Sequence, residues 1–392
     1  MTGTATTPAP LDVAATIAEG YERVRREYGA AIGRTPAELV TPALVLDLPA
    51  AKRNISRMGE WIATLPAEIR PHIKVHKSPE LARLQVEAGA IGLSTATVWE
   101  AVVLVESGLD HILIVNTVAG PDKLRTAAQL ARRADLLIAV DDLANIDQLS
   151  SAAVAAGSEI GVLVEVDTGM DRCGADSPEE ALGLARRVAA SPGLRLLGVT
   201  GYEGHCSLTP DHDQRLAKER TAMAFLIEVA ETFEHDGLPC PIRSAGGTAT
   251  WDWTAAFPGI TEIQAGTYAV MDNFHGRMVG GFEHSLTVMA TVISRRPNRV
   301  ILDAGGKSMG AGDMASIVGD PSPAFRFDEE HGIFDATGGS PLKVGDVVAV
   351  VPGYSPSTVN WYDAYHVVED GRVVDIWPVI PRGPGHHGLV AG

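Results

Sequence analysis

Apolar positions fall into two rhythms along this chain. Between residues 11 and 32 they recur at helical spacing, with Val13, Ile17, Tyr21 and Val24 on one stripe and charges between them, which predicts a helix. From Ala43 onward short β-branched runs alternate with amphipathic stretches of about 10–20 residues, the spacing of βα units around a parallel sheet. The runs expected as strands are 43–48, 70–76, 91–95, 111–116, 136–141, 160–167, 196–204, 241–247 and 261–266. Three of them (HILIVN, LLIAVD and IGVLVEVD) are almost continuously apolar, as strands covered on both faces must be. Eight or nine such repeats predict an α/β fold, a closed (β/α)₈ TIM-like barrel. An open doubly wound sheet would open on a glycine-rich first turn, and no G-x-G-x-x-G follows the first run.

After about Gly281 the rhythm changes to strand-like segments such as SLTVMATVISR, RVILDAG, DVVAVVPG and AYHVVEDGRVVDIWPV, with turns at Gly345-Asp346 and Asp370-Gly371 and no convincing helix. This region reads as a C-terminal all-β domain. The glycine-rich GRMVGGF marks the boundary, near 278–284. The chain therefore divides into a helical extension (1–40), a barrel (41–280) and the β domain (281–392).

Composition narrows the function. With 392 residues, 45% of them hydrophobic, the chain has material for one large core or two ordinary ones. Its 32 Lys and Arg against 49 Asp and Glu leave a net charge of −17, which disfavours nucleic acid and anionic membrane surfaces as partners. Three cysteines (Cys173, Cys206 and Cys240) at unpaired spacings build no disulfide framework, and neither a leader pattern nor a long apolar run is present. A small-molecule enzyme of the cytoplasm is the expectation.

In a barrel the chemistry gathers at the C-terminal ends of the strands. The second run ends His72-Ile73-Lys74-Val75-His76-Lys77. Strand alternation puts His72, Lys74 and His76 on one face, with Lys77 starting the next loop. A desolvated lysine there loses pKa and becomes a nucleophilic amine of the kind that forms Schiff bases. The alternative at this point is a surface basic cluster. Further on, Gly169 and Gly174 bracket Arg172, and GYEGH brings Tyr202 and His205 to one strand tip. Gly246-Gly247-Thr248 and Gly266-Thr267 end the last strands, where glycine pairs followed by a hydroxyl residue suit a phosphate cradle of backbone N–H groups.

These segments carry a resemblance. RPHIKVHKSPELARLQVEAGA, VEVDTGMDRCG, GYEGH, SAGGT, TEIQAGTYAVMD and VILDAGGKS resemble, in order and spacing, the D-threonine aldolase and D-serine dehydratase-like group of pyridoxal-phosphate enzymes, which share the alanine-racemase type of fold (fold type III). The resemblance runs from about Thr41 to Gly383. It implies that Lys74 holds pyridoxal 5'-phosphate covalently, with His72 among the cofactor's neighbours. Arg172 would contact the cofactor's phenolic oxygen or the substrate carboxylate, and His205 the ring or the substrate hydroxyl. Gly246, Gly247, Thr248, Gly266 and Thr267 would hold the phosphate. Gln264 stands where alanine racemases place an arginine against the pyridine nitrogen, so a neutral partner and a weaker electron sink are implied.

One departure bears on mechanism. Members of the group hold a divalent metal through a histidine and a cysteine or aspartate in the β domain, and this chain has Tyr354 and Pro356 at those places. Neither side chain is a useful ligand for a hard divalent ion, so no metal is expected at that site. Asp363, His366 and the His386-His387 pair match no ligand pattern for a relocated site. The work of the metal at the substrate's β-hydroxyl then falls to Tyr354, Tyr202 or His205. The leading expectation is a lyase acting on a β-hydroxy D-amino acid. Aldol cleavage is placed ahead of dehydration because TEIQAGTYAVMD and FDEEHGIF look aldolase-like. The alternatives are a racemase or epimerase using Lys74 and a tyrosine as its two bases, and a cofactor-binding regulator without turnover. The family's architecture implies a homodimer whose sites join the barrel of one subunit to the β domain of the other.

Overall fold

A computed structural model describes residues 13–385 of the chain. Eight parallel strands form one curled sheet: β2 (Glu68–Ile69), β3 (Leu93–Thr95), β4 (His111–Ile114), β5 (Asp135–Val140), β6 (Ile160–Val166), β7 (Leu194–Gly201), β8 (Ile242–Ala245) and β9 (Glu262–Ile263). β2 pairs with β9, and the remaining seam, between β2 and β3, is closed beyond the regular ladders. Ile91 N donates to Ile69 O (3.0 Å), and Ser94 N donates to Pro71 O (2.9 Å). The sequence reading of a barrel holds, with one exchange. The first run, β1 (Ala43–Asp47), is not a barrel strand. It lies in the C-terminal sheet, antiparallel to β10 (Leu286–Arg296) and parallel to β16 (Ala364–Glu369).

Local sequence explains the helices that wrap the barrel. Ser78, Thr97, Asp142, Ser177 and Asp211 each accept a backbone N–H of the first helical turn, and prolines 79 and 178 occupy that turn, where the missing N–H costs nothing. Such a cap contributes about 1 kcal/mol. Inside the barrel, Leu113, Leu137 and Leu163 from β4, β5 and β6 make a separate apolar plug with Leu197 and Ile242 packed against it. Their neighbours Ile112, Ile138 and Val162 face the helices, so both sides of each strand are dry and the near-continuous apolar runs are accounted for. The cleft described below opens above this plug.

The second sheet is mostly antiparallel. It runs β13 (Ala324–Phe327), β14 (Gly332–Asp335), β11 (Arg299–Leu302), β10, β1, β16 and β17 (Arg372–Pro378), with β15 (Val347–Val351) joining β10 to β12 (Ser316–Ile317). It is not free of helix, as its sequence suggested. A one-and-a-half-turn helix, Ser355–Asn360, follows Tyr354, with Pro356 in its first turn. The N-terminal helix, Val13–Tyr28, ends short of the predicted 32, and Leu11 lies outside the described residues. It packs on this sheet: Val24 is fully buried with Val45, Val373 and Ile376, and Arg23 pairs with Asp363 at 3.0 Å. Tyr21 reaches the barrel through Glu80.

Candidate active site

The C-terminal mouth of the barrel holds a cleft lined by residues of both domains. Lys74 enters it just after β2, though not from a strand. The extended segment ends at Ile69, and Ile73–Val75 make a single 3₁₀ turn, so residues 70–76 do not alternate as predicted. The consequence is a different set of neighbours. His72 and Lys74 line the cleft, while His76 turns away and pairs with Gln85 (Nε2 to Oε1, 3.1 Å), where burial lowers its pKa to about 4. Lys77 does start the connection to the next helix, but it is not a surface residue. It is buried and donates to Glu100 Oε1 (2.6 Å) and Pro381 O (3.2 Å). The surface-cluster alternative is therefore excluded.

Burial and the nearby Arg172 guanidinium both lower the pKa of Lys74, which favours the free amine. Its Nζ lies 5.7 Å from the ring centroid of Tyr202, and the Arg172 guanidinium carbon lies 5.6 Å from the same ring. Asp167 shapes the loop that presents Arg172, its carboxylate accepting the N–H groups of Gly169 (2.8 Å), Met170 (2.7 Å) and Arg172 (3.1 Å). Glu165 lines the cleft two residues beyond Leu163 on the inward face of β6. Its Oε1 is 3.5 Å from Arg172 Nη2, and burial outweighs that cation, raising its pKa to about 7.

The glycine turns line the same cleft. Gly246 adopts a φ of +82°, and its N–H donates to the buried Glu203 carboxylate at 3.1 Å. A Cβ on Gly266 would stand 2.3 Å from the carbonyl oxygen of His72, and one on Gly247 would stand 3.0 Å from the Tyr202 ring. Among the described residues, the backbone N–H groups of Thr248, Gly266 and Thr267 have no hydrogen-bond partner. That is the donor set an anion needs. Deeper in, Gln264 Nε2 donates to Thr200 Oγ1 (3.1 Å) and Ser244 Oγ (2.8 Å). Ser244 in turn donates to Glu262 Oε1 (2.8 Å), whose carboxylate is gripped by Arg70 through two 3.0 Å bonds. The group facing the cleft at this wall is thus a neutral amide.

Of the residues given a catalytic or cofactor role by the resemblance, all but His205 line the cleft. His205 packs on Gly169, its ring 3.0 Å from the place a Cβ would take, because GYEGH breaks into a 3₁₀ turn after Tyr202 and sends the imidazole behind the Arg172 loop. Tyr354 and Pro356 enter the cleft from the β domain of the same chain, so one chain already joins barrel and β domain at this mouth. Asn116, Glu165, Thr200 and His275 line it too and had not been selected. Glu165 was recoverable from its alternation with Leu163; His275, in an irregular linker, carried no periodic signal. As for a relocated metal site, Asp363 is held by Arg23 and Arg382, and His366 Nδ1 lies 3.1 Å from Leu44 O. His386 and His387 lie outside the described residues.

A barrel with a buried lysine at its mouth, capped by a mostly antiparallel β domain, defines a class: the lyases built on the alanine-racemase fold. Residues 46–273 match the alanine racemase N-terminal domain and 285–368 the putative serine dehydratase domain, and the chain belongs to the family that joins the two. It is 38% identical over 355 residues to D-threonine aldolase of Arthrobacter sp., covering 88% of this chain and 94% of that protein. It is 33% identical to 3-hydroxy-D-aspartate aldolase of Paracoccus denitrificans, covering 94% and 98%. Its fold superposes on the crystal structure of D-threonine aldolase from Filomicrobium marinum with a TM-score of 0.86 at 34% identity, over 90% of this chain and 98% of that one.

The cofactor expected of this family is pyridoxal phosphate, and the residues present fit it. The unpartnered N–H groups of the glycine turns suit its phosphate. His72 Nε2 and Glu165 Oε2 are buried without partners, as polar atoms meant for a polar guest are, and the amine of Lys74, its pKa lowered by burial, lines the same cleft as the turns.

Proposed function

We propose that this enzyme is a pyridoxal-phosphate lyase that cleaves a β-hydroxy D-amino acid to glycine and an aldehyde. The observation that carries the reading is one cleft lined both by the Lys74 amine, its pKa lowered by burial, and by the unpartnered N–H groups of Thr248, Gly266 and Thr267. The D-threonine and 3-hydroxy-D-aspartate aldolases, similar along most of their length, supply the substrate class.

When bound, the cofactor supplies the electron sink for the pair released at Cα. Lys74 would hold the cofactor through its amine, and the same amine would move the proton at Cα. Gly246, Gly247, Thr248, Gly266 and Thr267 would hold its phosphate, His72 and Tyr202 would bind its ring, and Gln264 would offer its ring nitrogen a neutral partner. Arg172 binds the substrate carboxylate or the phenolic oxygen, and Glu165 tethers its guanidinium. His205 acts on neither and supports the Arg172 loop. With Tyr354 and Pro356 at the family's ligand positions, turnover proceeds without a metal there.

Dehydration to a 2-oxo acid uses the same residues and is the second reading; the serine dehydratase domain supports it. Racemisation through Tyr354 draws on that phenol's place in the cleft, but burial raises its pKa and disfavours the phenolate that would act as the base. The working unit is a homodimer in the cytoplasm, where three free thiols stay reduced. The cofactor-loaded enzyme, assayed with D-threonine, 3-hydroxy-D-aspartate and D-serine before and after chelation, decides among these. Glycine plus aldehyde is the expected product. A 2-oxo acid selects dehydration, and α-deuterium uptake with the side chain intact selects racemisation.

A further inference from the structure

His275 lies on the linker between the two domains, in a four-residue turn of helix, Asn273–Gly276, that nothing in the sequence marked as functional. The linker is sewn to the Tyr354 segment. Asn273 N donates to Pro352 O (3.1 Å), Phe274 N to Gly353 O (3.0 Å), and Ser355 Oγ to Met271 O (2.9 Å). Asp272 sits at the centre of the seam with no exposed surface. Its Oδ2 accepts Ser355 N–H (2.8 Å), and its Oδ1 accepts both the backbone N–H of His275 (2.9 Å) and the ring Nδ1–H (2.8 Å). By accepting the hydrogen bond of Nδ1–H, this carboxylate fixes the tautomer that leaves Nε2 as the lone-pair nitrogen. The imidazole lines the same cleft as Lys74, stacked on the Tyr354 ring (centroids 6.2 Å apart, planes at 19°), and Nε2 has no hydrogen-bond partner among the described residues.

We propose that His275, oriented by Asp272, is the proton acceptor for the substrate's β-hydroxyl, the task for which this chain lacks the family's metal pair. The assignment rests on the lyase reading above. The other candidates are poorly suited. His205 lies outside the cleft, and the phenols of Tyr202 and Tyr354 are both made weaker acids by burial. In the cleavage step the O–H proton passes to Nε2, the O–H electron pair becomes the second bond of the aldehyde C=O, and the Cα–Cβ bond breaks with its pair left on the glycine fragment. That fragment regains a proton at Cα, and the proton on Nε2 returns to solvent. No oxidant, reductant or other reactant is consumed. His275 is the catalytic residue and Asp272 a positioning residue.

The test compares wild type with His275→Ala and Asp272→Asn, all loaded with cofactor and all treated with a chelator. His275→Ala is expected to keep the absorbance of lysine-bound cofactor and the exchange of the glycine α-proton into deuterium oxide. Cleavage falls by about 10²–10⁴-fold, and added imidazole restores part of it. Asp272→Asn is expected to lower kcat with KM unchanged. A downfield imidazole N–H proton resonance in the wild type is expected to vanish in both variants. Cleavage unaffected in His275→Ala, or wild-type cleavage abolished by the chelator and restored by a divalent ion, overturns the assignment and leaves the lyase reading standing. Wild type that cleaves no β-hydroxy amino acid overturns the lyase reading and His275's role with it.

Discussion

The side-chain nitrogen of Lys74 lies 5.7 Å from the ring centroid of Tyr202, and the Arg172 guanidinium carbon lies 5.6 Å from the same ring. One aromatic side chain thus neighbours both the amine and the guanidinium, whose charge favours a bound anion and disfavours a proton on Lys74. Burial keeps the Tyr202 phenol neutral by raising its pKa to about 12, so the ring matters here more than the hydroxyl.

Tyr202→Phe is therefore expected to retain cofactor absorbance and most of the turnover, whereas Tyr202→Ala loses cofactor affinity by about tenfold or more through the missing ring contacts. Spectrophotometric titration with pyridoxal phosphate checks both variants. Equal damage in the two would show that the hydroxyl is what counts.

Replacing Lys74 by alanine removes the amine the cofactor bonds to. The expected result is loss of the lysine-bound absorbance and a fall in turnover on the order of 10³-fold or more, with the melting temperature little changed. Absorbance that survives in Lys74→Ala would transfer the role to another amine.

Gly266→Ala puts a methyl group 2.3 Å from the His72 carbonyl oxygen, and two backbone segments that meet at the cofactor must separate. A loss of about 1–3 kcal/mol in stability is expected, with weaker cofactor binding. Denaturant titration and cofactor titration measure the two effects. Gly280, with open space around it, serves as the control for the same substitution.

Glu165 makes the cofactor-free protein pH-sensitive in a direction that can be stated. Its carboxyl ionises near pH 7 when folded and near the ordinary 4.5 when unfolded. Between those values the folded state holds the extra proton, so stability is full below about pH 4.5 and declines as pH rises through 7. Glu165→Gln escapes this decline, and its advantage over wild type is expected to grow by about 2 kcal/mol between pH 5 and pH 8. An advantage independent of pH would mean that Arg172 holds the carboxylate ionised throughout.

The pattern of apolar runs by itself determined the barrel, the β domain and the strand ends where chemistry collects, because strands buried on both faces cannot be polar. The lysine and glycine segments were legible for the same reason: a strand end in a barrel leaves little choice of direction. What only the tertiary structure decided is pairing and turning. ALVLD is as apolar as any barrel strand, and its sequence does not say that β10 and β16 will flank it. The 3₁₀ turns at Ile73–Val75 and Gly204–Leu208 rotate His76 and His205 away from positions that strand alternation assigns them. His275 reaches the cleft only because Asp272 joins the linker to a segment more than 80 residues further on, through the Ser355 N–H. Periodicity reports which face of an element is dry. It carries no information about long-range partners, and in this protein those partners set which histidine faces the lysine.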